Sequence, residues 1–434
     1  GLSVDSRIVK RNNLFLTIKG KNNDGNKFIP DALKKGAKYI VSSKVLKKYK
    51  NKTIRVKNEI RFLNQFAKLK RKNSTAKIIA ITGSAGKTSL KDLIKELLQN
   101  FENTHSSPKS FNNHFGVPIS LSNLSADDKY GIFEVGMSKM GEINNLSKLI
   151  QPHIGIITNI GEAHLENFKN IYGIAKAKAE IIDNIKEHGT IILNRDDKFF
   201  SYLKKKAKSR KLKIVTFGKN KISDIHPLRT NRDKGLVKIF LKMNNKKIDL
   251  EIKNINIYNV LASLAVIEEL NYNLNDIKKI FKNYEPTEGR GKTHIISRYN
   301  KKFKLIDESY NANPLSVKNA INSFDLIKKE KYKKYLILGD MLELGRNSEN
   351  YHKDLSKVIN KSNIDKVFIR GEKTLFTYKN LNKNKQGNIL QNKDDIDLVL
   401  SDIIKNNDYL MIKGSNATGL NILSKNMIRG SNAI

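Results

Sequence analysis

Thr82-Gly83-Ser84-Ala85-Gly86-Lys87-Thr88-Ser89 is the stretch on which the reading of this 434-residue chain turns. The apolar run Lys77-Ile78-Ile79-Ala80-Ile81 leads into it, and Leu90, Leu93, Ile94, Leu97 and Leu98 follow at helical spacing. A strand that breaks at glycine and restarts as a helix makes an anion site, because the curled backbone turns several N–H groups onto one point at a positive helix terminus. Gly83, Ser84, Ala85, Gly86, Lys87, Thr88 and Ser89 are therefore expected to hold a nucleoside triphosphate, with Lys87 on the β/γ-phosphates and the Thr88 hydroxyl on Mg²⁺. The usual pattern has a glycine five residues before Gly86. Ile81 stands there, so the loop is the shorter Gly-x-x-Gly-Lys-Thr form.

Outward from the loop, short apolar runs at 131–135, 154–158, 190–193, 213–217 and 335–338 alternate with helical segments such as 171–185. That alternation predicts parallel sheets covered on both faces. The polar stretches Lys70-Arg71-Lys72-Asn73-Ser74-Thr75 and Glu288-Gly289-Arg290-Gly291-Lys292-Thr293 divide the chain into 1–74, 75–295 and 296–434. The expected fold is α/β in three domains: a small N-terminal α/β domain, a central phosphate-loop ATPase domain on a parallel sheet, and a C-terminal Rossmann-like α/β domain, whose first strand is expected at 303–306.

Composition removes other classes. The chain has no Cys, which excludes disulfide scaffolds, zinc ribbons and thiol nucleophiles. No apolar run approaches the ~18 residues of a membrane span, and no secretory signal is visible, so a cytoplasmic protein is expected. Lys and Arg number 82 against 42 Asp and Glu, a net charge of +40. A nucleic-acid-binding ATPase would gather that charge in stripes interleaved with stacking aromatics. The lysines are instead spread along the chain and Trp is absent, so no nucleic-acid partner is expected. Glu134, inside the apolar run Ile132-Phe133-Glu134-Val135, is a candidate Mg²⁺ ligand, because a carboxylate there needs a partner.

Further motifs follow in order: Asp5-Ser6-Arg7, Ser110-Phe111-Asn112-Asn113, Asn159-Ile160-Gly161-x-x-His164, Ala177-Lys178-Ala179-Glu180, Tyr258-Asn259, Gly289-Arg290, Ser309-Tyr310-Asn311-Ala312-Asn313-Pro314, Gly339-Asp340-Met341-Leu342-Glu343-Leu344-Gly345 and Lys413-Gly414-Ser415. In this sequence of motifs the chain resembles the Mur ligases, ATP-dependent amide-bond-forming enzymes of peptidoglycan precursor synthesis. The runs at 309–314 and 339–345 resemble the MurF type, which adds D-alanyl-D-alanine. A relative adding a different amino acid is the alternative, and the 310–314 motif argues against it.

The resemblance implies UDP-N-acetylmuramoyl-tripeptide and D-alanyl-D-alanine as substrates, ATP and Mg²⁺ as cofactors, and a monomer. It implies that Lys87, Glu134, His164 and Lys178 are catalytic. Thr88, Glu134, His164 and a carbamylated Lys178 would organise the metal, with Lys176 as the fallback. Asn259, Arg290, Asp307, Glu308, Asn311 and Asn313 would contact the nucleotide. Ser6, Arg7, Lys19 and Gly20 would meet the UDP, Asn112, Asn113 and His114 the peptide, and Asp340, Glu343, Lys413 and Ser415 the dipeptide. The chain departs from the family at Tyr258, where His is usual, and at Glu308, where Asp is usual. Gly1 is expected to fall within the first domain rather than before it.

Overall fold

Ile78 and Ala80 of the strand Lys77–Thr82 pack into one core, and Ile79 and Ile81 into another. Successive side chains of a strand point to opposite faces, so a strand apolar throughout requires cover on both sides. Helices Lys87–Gln99 and Ile257–Glu269 cover one face, and Glu142–Ile150, Ile171–Asp183 and Phe200–Ser209 the other. The structure, a computed structural model, describes the chain except residues 21, 22, 45, 234, 235, 245, 254, 328–330 and 432–434.

The parallel part of the central sheet runs Thr104–Ser106, Tyr130–Glu134, Lys77–Thr82, Ile154–Ile157, Thr190–Asn194, Lys213–Phe217 and Ile225–Asp233. Leu236–Met243 and Lys246–Ile252 extend it antiparallel. That meander lies outside the strands expected from sequence: Ile239, Leu241 and Met243 are buried on one face and Lys238 and Lys242 are exposed on the other, so no continuous apolar run marks it. The chain leaves Lys77–Thr82 to build neighbours on both sides of it. The loops after Lys77–Thr82, Tyr130–Glu134 and Ile154–Ile157 therefore converge at a topological switch point, where open α/β sheets bind ligands.

Two further α/β domains flank this one. The N-terminal sheet is parallel: Leu2–Ser3, Leu14–Leu16, Tyr39–Ser42 and Thr53–Arg55. It is tied to the centre by Asn123, whose amide group bonds the backbone of Leu2 at 3.0 and 2.8 Å, and by Arg71, which donates to the carbonyls of Ile150 and Gln151. The C-terminal sheet runs Lys292–Arg298, Lys301–Glu308, Tyr409–Lys413, Lys334–Gly339, Lys366–Arg370 and Gln386–Ile389, parallel apart from its first hairpin. This sheet begins at Lys292, so the 295/296 division falls inside a strand and the strand at 303–306 is the second of its sheet, not the first. An edge strand of alternating polar residues, Lys292-Thr293-His294, reads from sequence as linker.

Candidate active site

Gly83 and Gly86 carry φ angles of 150° and 83°, and Gly86 caps the helix Lys87–Gln99 in the left-handed conformation. A Cβ on Gly83 would stand 1.8 Å from Thr158 Oγ1. The loop is clamped by the segment after the neighbouring strand. Ser84 Oγ donates to the Gly161 carbonyl at 2.8 Å and accepts from its N–H at 2.9 Å. Asn159 Oδ1 accepts from the Ala85 N–H, and Thr158 Oγ1 donates to the Ala85 carbonyl. Gly83→Ala should therefore lower stability by about 1–3 kcal/mol through overpacking and a disfavoured φ; urea unfolding reads it as a fall in midpoint.

Glu134 is 1% exposed at the carboxyl end of its strand. It accepts from Thr88 Oγ1 at 2.6 Å and from Asn112 Nδ2 at 2.7 Å. Lys87, half-buried where it lines the cleft, donates to the Gly83 carbonyl at 2.8 Å. Burial lowers its pKa, Glu134 opposes that shift, and Arg290 adds to it. Lys178 is 2% exposed, and burial, with Lys87 adding and Glu134 opposing, lowers its pKa well below the ordinary lysine value. The fallback Lys176 is exposed instead, its ammonium 5.1 Å from the Tyr172 ring centroid. His164 sits in left-handed backbone, with its Nδ1 against the Glu343 carboxylate of the third domain. Its pKa is lowered, chiefly by burial, with Glu343 opposing and Lys178 and Lys87 adding. Among the described residues no three His, Asp or Glu gather as a ready-made metal cluster. The adjacent oxygens of Thr88 and buried Glu134 still suit Mg²⁺, a hard cation that takes few protein oxygens and completes its shell with phosphates.

The third domain closes over this centre, leaving a cleft of about 2020 Å³. Asn313 caps the helix Pro314–Asp325 and donates to the Ser84 carbonyl at 3.1 Å. Arg290, between two glycines of positive φ, donates to Ser110 Oγ at 3.1 Å and lies 4.2 Å from the Tyr310 ring centroid. Glu308, Asn311 and Lys413 also line the cleft, but the Lys413 ammonium is committed to the Asn311 carbonyl at 2.6 Å and to Glu308 at 3.4 Å.

Other expected residues stand elsewhere. Asp307 does not line the cleft: its two oxygens accept from the Gly289 N–H and from Ser309. Asp340 accepts the Thr374 N–H, and Ser415 accepts the Leu342 N–H; neither reaches the cleft. Glu343 meets it only through His164. Ser6 and Arg7 are also remote from it; Ser6 is buried, and exposed Arg7 pairs in two-pronged fashion with Asp5. Asn113 lines the cleft, but its side chain accepts from the Phe115 and Gly116 N–H groups at the start of the helix Gly116–Ser122; His114 lines it with its ring tilted against Phe115. Asn259 lines the cleft with its side chain against Gly86. Tyr258 donates to Asp196 at 3.1 Å, and burial and Asp196 raise its pKa to about 12. No residue-type signal marks Thr158; Ser110 and Tyr310 fall within sequence motifs without an assigned role, which only their contacts to Arg290 from distant sequence reveal.

Three family models match the chain: the Mur ligase middle domain over residues 81–267, the Mur ligase glutamate ligase domain over 292–416, and the Mur ligase family catalytic domain over 1–71. A UDP-N-acetylmuramoyl-tripeptide–D-alanyl-D-alanine ligase of Rickettsia prowazekii is 34% identical, covering 96% of this chain and 92% of its own length. One from Buchnera aphidicola is 34% identical over 99% and 93%. The crystal structure of MurF from Acinetobacter baumannii superposes with a TM-score of 0.84 at 25% identity, covering 99% of this chain and 93% of that one.

Proposed function

The chain belongs to the Mur ligase family, and from that premise we propose that it is the member joining D-alanyl-D-alanine to UDP-N-acetylmuramoyl-tripeptide. It is an ATP-dependent amide-bond-forming ligase of peptidoglycan precursor synthesis. The observation that carries the chemistry is the convergence of a phosphate loop, a buried carboxylate and a buried, deprotonation-prone lysine under a third domain bonded to the loop itself.

In the reaction a peptide carboxylate oxygen attacks the γ-phosphorus of ATP, giving an acyl phosphate and ADP. The dipeptide amine then attacks the acyl carbon, phosphate leaves, and the amine proton is lost. Both steps bring anions together, so fixed cations and N–H dipoles are the main catalytic resource. The loop N–H groups and Lys87 hold the phosphates. Thr88 and Glu134 would hold Mg²⁺, which when bound would supply positive charge to offset that of the phosphates. Lys178 would act as a carbamate, converting a buried cation into an anion beside that site. Arg290 is placed over the mouth, and the Asn313–Ser84 bond favours a closed cleft that keeps water from the acyl phosphate.

We assign residues 1–74 to the UDP-sugar, the central domain up to residue 291 to ATP, and the C-terminal domain from Lys292 to the dipeptide and part of the nucleotide. Asp340 and Ser415 are committed to backbone, so the dipeptide subsite does not rest on them. The phosphate loop, Glu134, Lys178 and the third-domain residues over them come from one chain, consistent with a monomer, and ATP with a nucleotide-sugar substrate favours the cytoplasm. No helix among the described residues is long and apolar enough to cross a membrane. Phosphate release tests the reading. It should require the UDP-muramoyl tripeptide and D-alanyl-D-alanine together. Release driven by DNA or RNA at physiological salt, without the two substrates, would overturn it.

A further inference from the structure

We infer that Lys91 is a positioning residue of the ligase, holding the segment 107–113 so that Asn112 and Ser110 meet Glu134 and Arg290. Lys91 lies one helical turn beyond Lys87, on the same face of the helix, and is 1% exposed. It does not line the cleft. Its ammonium donates to the Ser107 carbonyl at 2.7 Å and the Lys109 carbonyl at 2.8 Å, and lies 3.0 Å from Asp92 Oδ1. A buried ammonium has three protons to satisfy, and these three partners account for them.

The clamped segment is irregular between its anchors, the Ser107 N–H on the Ile132 carbonyl at 2.9 Å and the packed Phe111. It follows a three-residue strand, and Lys109 sits at a φ of 48°, unfavourable for a residue with a Cβ. Yet it supplies much of the scaffold around Glu134. Ser107 Oγ accepts the Glu134 N–H at 3.2 Å, Asn112 donates to the Glu134 carboxylate, and the Asn112 carbonyl accepts the Gly136 N–H at 2.7 Å. Ser110 receives Arg290. Asp92 extends the tie to the linker, accepting from Thr287 at 3.4 Å. Lys91 thus joins the phosphate-loop helix, the segment that orients the carboxylate, and the chain carrying Arg290, without touching a reacting atom.

The proposal rests on the ligase reading, so the experiment first records substrate-dependent phosphate release by the unaltered protein; its absence would count against that reading alone. In Lys91→Met, amide hydrogen exchange without ligands should rise selectively in 107–116 and 134–136. Turnover at saturating substrates should fall by about 10- to 100-fold, the loss associated with misplacing reacting groups by roughly an ångström. The Mg²⁺ concentration for half-activity should rise, and Lys91→Arg should recover part of both changes. Adding Asn112→Ala to Lys91→Met should cost little more than either alone, because both break one chain of contacts. Exchange that rises uniformly, with turnover and the Mg²⁺ curve unchanged, would overturn the proposal. If Lys91→Met does not fold, Lys91→Gln, whose one amide cannot serve both carbonyls, is read against the same outcomes.

Discussion

Glu134→Gln should leave a folded protein that binds nucleotide but turns over about 10²- to 10³-fold more slowly, the scale seen when one preorganised electrostatic contact is removed from a transition state. The substitution is close to isosteric. An amide oxygen still accepts from Thr88, so packing around the 2.6 Å contact is retained. The charge is not. Glu134 is the anion that opposes the lowering of both the Lys87 and the Lys178 pKa, and it receives the Asn112 amide on its other oxygen. Glutamine leaves the amines of Lys87 and buried Lys178 without the carboxylate that offsets them and presents an NH₂ to the Asn112 NH₂ or to Thr88. It also removes the strongest oxygen donor for Mg²⁺ at this end of the cleft. Phosphate release at saturating substrates and excess Mg²⁺ measures the loss. Retention of turnover within about threefold, in protein shown to be folded, would remove Glu134 from the metal-holding role.

The phosphate loop was legible from sequence because its requirements are local. Glycines at set spacing, a preceding strand and a following helix are all visible in one short contiguous stretch, and the structure returns the strand as Lys77–Thr82 and the helix as Lys87–Gln99. Burial also has a local signature: Glu134 inside an apolar run is found at 1% exposure. What sequence does not carry is which polar groups are spent on structure. Asp307 and Glu308 look alike on the page, but strand alternation sends Glu308 to the cleft and Asp307 behind it, onto Gly289 and Ser309. Asp340 and Ser415 have the chemistry a dipeptide pocket needs, and each is occupied by a backbone N–H. Lys91 is one of many lysines until the segment it holds is placed beside it. Such roles depend on contacts between residues far apart in sequence, as in the Asn313–Ser84 bond across 229 positions.

Lys178 should show opposite effects on stability and on activity. Taking an ammonium out of water is costly, so a buried lysine without an engaged partner prefers the neutral amine. Its folded pKa lies well below the ordinary 10.5. Between the folded and unfolded values the unfolded chain binds the extra proton, so stability rises with pH across that window, and the penalty is greatest below it. Lys178→Met keeps the volume and removes the penalty. In CO₂-free buffer it should be more stable than the natural protein by about 1–4 kcal/mol near neutral pH, with the advantage closing as pH approaches the ordinary lysine range; urea unfolding at several pH values measures this. Activity should move the other way. A neutral amine reacts with CO₂ to give a carbamate and a proton, and the resulting anion would sit with Glu134 beside the phosphates. Lys178→Ala should therefore lose about 10²- to 10³-fold in turnover. The shortened side chain leaves room for a small acid, and formate or acetate should restore part of the lost rate in proportion to its concentration. Lys178→Arg, always charged, should be inactive with or without the acid. Full turnover by Lys178→Ala without added acid would show that no carbamate is needed. Loss without rescue by any short carboxylate would mean that Lys178 serves as an amine rather than as an anion.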